Sequence, residues 1–236
     1  MAAVIMHAGL ALATAAFVGT HLALSHPLRT RLVQTMGEAM FTGAYSLVAA
    51  LTLLWMILAY AAIDVSVPFW IAPEWWWWAA SALMLLASIL LVGAFVRNPA
   101  FPHPNPKKNA NRPATGVFAI TRHPMNCSII LWALVHLSVW LSPRNMIVAV
   151  GMLILALAGS IGQDRKKRAV VAQKWRDWEA RTSFVPFAAL LGGRVRWRNA
   201  APGWVALGGG TALWLAVTTF HQPSVSPLGF LFAGGP

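Results

Sequence analysis

The sequence predicts an all-α membrane protein, a bundle of about six transmembrane helices. Three observations predict it. The 236 residues are 58% hydrophobic and only 10% charged, with a mean hydropathy of +0.62. A soluble domain carries roughly 25% charged residues. The apolar residues fall into six runs of near-spanning length, and the basic residues fall between those runs, almost all on one side.

A span needs about 20 mostly apolar residues. The runs lie at 4–24, 39–62, 77–95, 124–141, 146–161 and 203–220. The first lacks a basic start and leads into a basic loop, so it reads as a retained helix and not a cleaved leader. The second begins just after Glu38, whose carboxylate offsets the helix dipole at an amino end. The third opens on Trp75 to Trp78, a set of indoles suited to the bilayer boundary. The fourth and fifth are short and joined by Ser142-Pro143-Arg144-Asn145, which predicts an antiparallel hairpin. The sixth follows a basic stretch that ends in Pro202-Gly203.

The loops set the topology. Arg29 and Arg31 follow the first span. Arg97, Lys107, Lys108, Arg112 and Arg122 lie between the third and fourth. Ten more, from Arg165 to Arg198, lie between the fifth and sixth. Only Arg144 falls on the other side. The positive-inside bias makes the three basic loops cytoplasmic and both termini periplasmic. The net charge of +12 is thereby assigned to topology and to lipid contact, not to nucleic acid. Residues 98–113 hold five prolines and predict an extended loop. Residues 163–181 predict a basic amphipathic helix running out of the fifth span. Val170, Val171, Lys174, Trp175 and Trp178 share a face suited to the headgroup layer. The single cysteine, Cys127, excludes an intramolecular disulfide and a cysteine metal cluster.

The candidate site residues are histidines. His103 and His221 read as solvated. His7 and His21 lie on the first span, His26 just past it, and His123 and His136 at the two ends of the fourth. An ionisable group inside a span is costly and usually faces the bundle interior. His7 and His21 point the same way, about 21 Å apart along the axis. His123 and His136 are separated by about 20 Å, too far to share one metal on a continuous helix. By depth, His21, His26 and His123 share the cytoplasmic level, and His7 and His136 the other. Two imidazoles from facing helices are a usual way to hold b-type haem. Arg122, beside His123, offers a fork of donors to a haem propionate or a phosphate; anchoring at the membrane surface explains it equally well. Asp164 most simply pairs with Arg165 or Arg168.

Several segments resemble the NnrU family of bacterial membrane proteins. They are Thr20-His21-Leu22, Gly37-Glu38, Gly43-Ala44-Tyr45-Ser46-Leu47, Ile120-Thr121-Arg122-His123-Pro124-Met125, Trp132-Ala133-Leu134-Val135-His136, Gln163-Asp164-Arg165-Lys166-Lys167 and Thr182-Ser183-Phe184-Val185-Pro186-Phe187. The resemblance implies one integral inner-membrane domain over 1–236, with an NnrU-like core at about 4–190. It also implies an association with denitrification, through nitrite and nitric oxide reduction. NnrU proteins are similar in turn to plastid zeta-carotene isomerases, which use haem b on a lipophilic polyene. That likeness implies haem ligation by His21 and His136; a cysteine that can ligate the iron there falls at Ala133 here. The implied pair conflicts with the depth argument. Either the fourth span begins later, or the first tilts, or His123 is the partner of His21.

A more distant likeness is to membrane methyltransferases that bind S-adenosylmethionine. Arg122-His123-Pro124 is kept, but Asn126 and Ser128 replace a Tyr and a Gly, and Gln163-Asp164 stands where an acidic pair would be. Three functions are therefore expected in turn: haem-dependent isomerisation or redox chemistry, a non-catalytic assembly factor for nitrogen-oxide reductases, and a methyltransferase.

Overall fold

The computed structural model describes residues 2–64, 66–96, 98 and 113–229. Most of the proline-rich loop, with Arg97, His103, Lys107, Lys108 and Arg112, lies outside the described residues.

The elements in chain order are α1 (Ala2–Ser25), α2 (Arg29–Met36), α3 (Glu38–Ala61), β1 (Trp70–Ile71), α4 (Glu74–Ala94), α5 (Val117–Ile120), α6 (Pro124–Val139), β2 (Trp140–Leu141), α7 (Pro143–Arg181), α8 (Ala188–Leu191) and α9 (Trp204–His221). The fold class is all-α, as the apolar runs predict. Among the described residues, four helices are long and apolar enough to cross a membrane: Ala3–Ser25, Glu38–Ala61, Glu74–Ala94 and Pro143–Arg181. The fourth predicted span starts at Pro124 as expected but is shorter, 16 residues, because the chain turns extended at Trp140. The sixth forms an 18-residue helix.

The chain divides into two compact units, Met1–Ala72 with His136–Gly162, and Pro73–Val135 with Gln163–Pro236. In the first unit α1 packs on α3 and on the apolar half of α7. Leu10, Ala13, Phe17, Met56 and Ile63 are its buried core, with Ile147, Val148, Met152 and Leu155 packed against them. Without water to drive helices together, close approach of small residues does the work. Gly151 lies directly under the Thr14 methyl, and Gly162 under the His26 ring. These two contacts fix α1 and α7 parallel and in register. At the other end of the unit β1 pairs antiparallel with β2, Trp70 opposite Leu141 and Ile71 opposite Trp140. There Arg144 donates from Nη1 to the Ile63 carbonyl (2.8 Å) and its guanidinium covers the Tyr60 ring. The Tyr60 hydroxyl donates to Asn145 Oδ1 (2.6 Å).

The second unit centres on α4, α5, α9 and the charged half of α7. Its core includes Leu90, Val117, Phe118, Ile120, Trp175, Trp178, Leu190 and Ala206. Trp175 and Trp178 are each 1% exposed, so their shared face packs on protein and not on the headgroup layer. Phe118 meets Trp178 edge-on (6.0 Å). Large apolar residues at these positions gain more from a protein core than from the lipid boundary, and Val170, on the same predicted face, is left exposed.

The predicted straight run from the fifth span to Arg181 does not form. Backbone angles at Ala172 are φ 25°, ψ −101°. Arg168 pairs with Glu179 (2.7 Å), although residues that far apart in a straight helix are separated by about 16 Å. The helix therefore doubles back at Ala172, a backbone region that favours glycine.

The α4–α9 seam is tight. A Cβ on Gly210 would lie 2.6 Å from the Ile89 Cα, whereas one on Gly208 would have nothing within 4 Å. Gly210→Leu is expected to lower the thermal midpoint in detergent by overpacking, a cost of about 1–3 kcal/mol. Gly208→Ala should melt near the parent protein. Equal midpoints for the two variants would show that this seam is misplaced.

Candidate functional site

Two sets of side chains carry chemistry, one in each unit. In the first unit, His21 lies on α1 two turns beyond the Thr14–Gly151 contact, about 10 Å along the axis. Its Nδ1 donates to the Phe17 carbonyl one turn back (3.0 Å). That bond fixes the tautomer, so Nε2 keeps its lone pair. The ring is held between Phe17 (centroids 4.3 Å apart) and Tyr45 of α3 (5.5 Å, edge-on). Ser25 donates to the Tyr45 hydroxyl (3.2 Å). A histidine that gives its other N–H to a backbone carbonyl is oriented as metal-ligating histidines are.

The other histidines of this unit occupy different places. His7 donates from Nδ1 to the Ala3 carbonyl (2.7 Å). His26 rests on Gly162. His136 is half-buried on α6, one turn before β2, and Ala133 one turn back is fully buried. His21 and His136 thus enter from opposite ends of the unit, as the depth argument from sequence requires. Among the described residues no three His, Cys, Asp or Glu side chains gather to hold a metal ion.

The second set is a charge network in the second unit. Thr121, at the end of α5, leaves the helix in an extended conformation (φ −153°, ψ 149°). This lets Arg122 and His123 project just ahead of Pro124, which opens α6. Arg122 donates from Nε and Nη2 to Asp164 (3.0 and 2.7 Å). The same Nη2 lies 3.7 Å from Glu179. Asp164 and Glu179 would be about 22 Å apart on a straight helix, so one arginine holds both arms of the α7 reversal. The expected pairing of Asp164 with Arg165 or Arg168 does not form; Asp164 turns inward and Arg168 takes Glu179.

Both ring nitrogens of His123 are engaged. Nε2 faces Asp164 Oδ1 (2.9 Å) and Nδ1 faces Gln163 Oε1 (3.0 Å). With Nε2–H donating to the carboxylate, Nδ1 either donates as part of an imidazolium or accepts from the amide turned end for end. In both cases no lone pair of His123 is directed at a ligand. The bent segment 183–187 straps this network down. Arg122 N donates to the Ser183 carbonyl (2.9 Å), Thr121 Oγ1 to the Phe184 carbonyl (3.0 Å), and Phe187 N to the Ile120 carbonyl (2.8 Å). Phe184 covers Arg122 and meets His123 edge-on. Beside it lies a cavity of about 40 Å³, bordered by Asn98, Met125, Asn126 and Gln163. Its size suits a water.

The structure therefore joins Arg122 to His123 in one network and keeps His21 and His136 in the other unit. Sequence reasoning missed Asp164 and Glu179 as partners of Arg122. A signal was present: the chain has only six acidic residues, so a buried arginine has few possible counterions. Asp164 is engaged by both Arg122 and His123.

Among curated proteins, the chain is similar to the chloroplastic 15-cis-zeta-carotene isomerase of Zea mays, 33% identical over 83 residues, which cover 35% of this chain and 22% of that protein. It is also similar to the Arabidopsis thaliana protein of the same name, 34% identical over 83 residues, or 34% of this chain and 22% of that one. The chain thus matches about a fifth of the length of these relatives. No solved structure matches it. A family model described as NnrU protein matches residues 9–227, nearly the whole chain. The chain belongs to the NnrU family.

Proposed function

We propose that this NnrU-family membrane protein binds b-type haem through His21 and acts on a lipophilic polyene by isomerisation; His136, which the likeness to the carotene isomerases would pair with it, stands at the other end of the unit and is left out of that site. The observation that carries the proposal is the His21 Nδ1–H bond to the Phe17 carbonyl. It leaves Nε2 as a fixed, unprotonated donor in an apolar unit. The chemistry of the donor fits haem: His21 is an oriented imidazole, the ligand that b-type haem takes, and among the described residues no three His, Cys, Asp or Glu side chains gather to hold a metal ion. The likeness to carotene isomerases supports the same cofactor and substrate class.

The bound haem would supply a Lewis-acidic, redox-active iron. The protein's own residues do the rest. Phe17 and Tyr45 hold the His21 ring in one orientation. Leu10, Ala13 and Phe17 pack with Met56 and Ile63 in an apolar core that keeps water from this part of the unit. His123 is left out of the ligand set, because Gln163 and Asp164 occupy both its nitrogens. Arg122 is likewise assigned to holding α7 and not to a propionate. A second reading, an accessory factor for nitrogen-oxide reductases in the bacterial inner membrane, draws on the family link to denitrification and gives the haem no turnover.

The proposal is tested on detergent-purified protein made under haem-replete expression. The parent should show a Soret band, and His21→Ala should lose most of it. His136→Ala should keep it, because His136 stands at the other end of the unit; a band lost there as well would show that His136 also serves the haem. A folded, colourless parent protein would end the cofactor claim. Turnover of a cis-polyene by the loaded protein, absent from His21→Ala, separates the enzyme from the accessory factor.

The charge network gives an opposite expectation. Asp164→Asn removes the counterion of a buried arginine, a loss of about 3–5 kcal/mol. Its thermal midpoint should fall well below the parent's, while the folded fraction keeps the parent Soret position. His123→Ala should behave the same way. A Soret band lost in a folded His123→Ala protein would overturn the exclusion of His123 from the ligand set.

A further inference from the structure

The stretch 191–204 of the second unit carries an exposed surface that the haem proposal does not use. Leu191, Trp197 and Trp204 are 77%, 59% and 89% exposed. Exposed apolar side chains are ordinary on the spans of a membrane protein; what sets this stretch apart is an exposed indole set among basic residues. Arg196 and Arg198 flank Trp197, both are exposed, and among the described residues neither is paired with a carboxylate. Arg194 differs from them: its Nη1 is spent on the Thr182 carbonyl (2.7 Å).

The stretch is fixed from beneath. Val195 is buried in the unit's core and Ala200 packs against it. Gly116 N donates to the Asn199 carbonyl (2.7 Å), and Arg194 N to the Ala189 carbonyl (2.9 Å). A short 3-10 helix, Trp197–Ala200, then presents Trp197 and Arg198 outward. A surface held this way loses little conformational freedom when it binds.

The depth of the surface follows from α9. Eighteen helical residues measure about 27 Å, close to the thickness of the hydrocarbon layer. α9 is less apolar than the four helices named above; if it crosses the membrane, as its apolar run in the sequence predicts, Trp204, its first residue, stands at the bilayer boundary, where an indole has apolar and polar surroundings at once. The residues just ahead of it reach the phosphate layer. Arginine matches phosphate with paired donors, and basic residues near a membrane surface favour anionic headgroups.

We propose that Arg196, Trp197 and Arg198 form a docking site for the headgroup of an anionic phospholipid. The indole lies against the acyl–glycerol boundary, and the two guanidinium groups take the phosphate and its neighbour. The site selects anionic over zwitterionic lipid through charge and is independent of the haem.

The test uses full-length protein in a non-ionic detergent, titrated with phosphatidylglycerol, phosphatidylcholine or inorganic phosphate while the thermal midpoint is followed. Phosphatidylglycerol should raise the midpoint, phosphatidylcholine much less, and inorganic phosphate not at all. Each of Arg196→Gln and Arg198→Gln should weaken the apparent phosphatidylglycerol affinity about five-fold. Added salt should erode the lipid effect on the parent protein. Equal responses of the parent to both lipids would overturn the site without any variant. So would unchanged phosphatidylglycerol affinity in a folded Arg196→Gln/Arg198→Gln protein, or a response to phosphate alone that matches the lipid.

Discussion

Asp164 is the hinge of the second unit's order. Its two oxygens take the Arg122 fork and the His123 ring, and through Arg122 it is tied to Glu179 on the returning arm of α7. A guanidinium taken out of water is expensive unless its donors are met, so the arginine enforces the geometry around it. That geometry includes the reversal at Ala172, which no local preference favours. The cost of the strained backbone is offset by what the reversal brings together: two buried tryptophans, an ion pair between Arg168 and Glu179, and the strap at 183–187. The pair is therefore better understood as a device for specificity of fold than as a source of net stability.

The first unit is ordered by a different constraint. Its helices are apolar on nearly all sides, and α3 buries only Phe41 and Met56 along 24 residues. Hydrophobicity alone cannot orient such a helix in lipid, since one apolar face is as good as another. Shape decides instead. Gly151 receives Thr14 and Gly162 receives His26, two contacts about three turns apart that fix both rotation and register of α1 on α7. The positions of His7 and His21 on α1 follow from that register.

Much of this was legible in the sequence. The apolar runs located α1, α3, α4 and α9 within a few residues, because length and hydropathy are what a bilayer demands of a span. The isolated charge of Arg144 marked a turn, and the turn is there, with the guanidinium tied to Ile63. The doubling of α7 was not legible. An amphipathic pattern at 163–181 is the same whether the helix lies on lipid or folds back on protein, since both environments reward one apolar face. The partners of Arg122 were hidden for a related reason. Pairing over 42 residues of sequence is set by packing, and helix geometry points only to neighbours three or four residues away. The fourth span was overdrawn because Trp140 and Leu141 are as apolar as the helix before them and leave it only to pair with β1.

The two histidines that sequence placed at one level show how hydrogen bonding sorts chemically identical groups. His21 and His123 carry the same ring. His21 spends one nitrogen on a carbonyl of its own helix, a partner that can only accept, and so its second nitrogen stays a base. His123 is given a carboxylate and an amide, and neither nitrogen is left over. Depth and spacing cannot tell these cases apart, since both depend on where the ring is and not on what it touches. The distinction comes from residues far along the chain for His123, and from the helix backbone alone for His21. That makes the orientation of the His21 ring robust to changes elsewhere: so long as α1 stays helical through Phe17, the same nitrogen is presented.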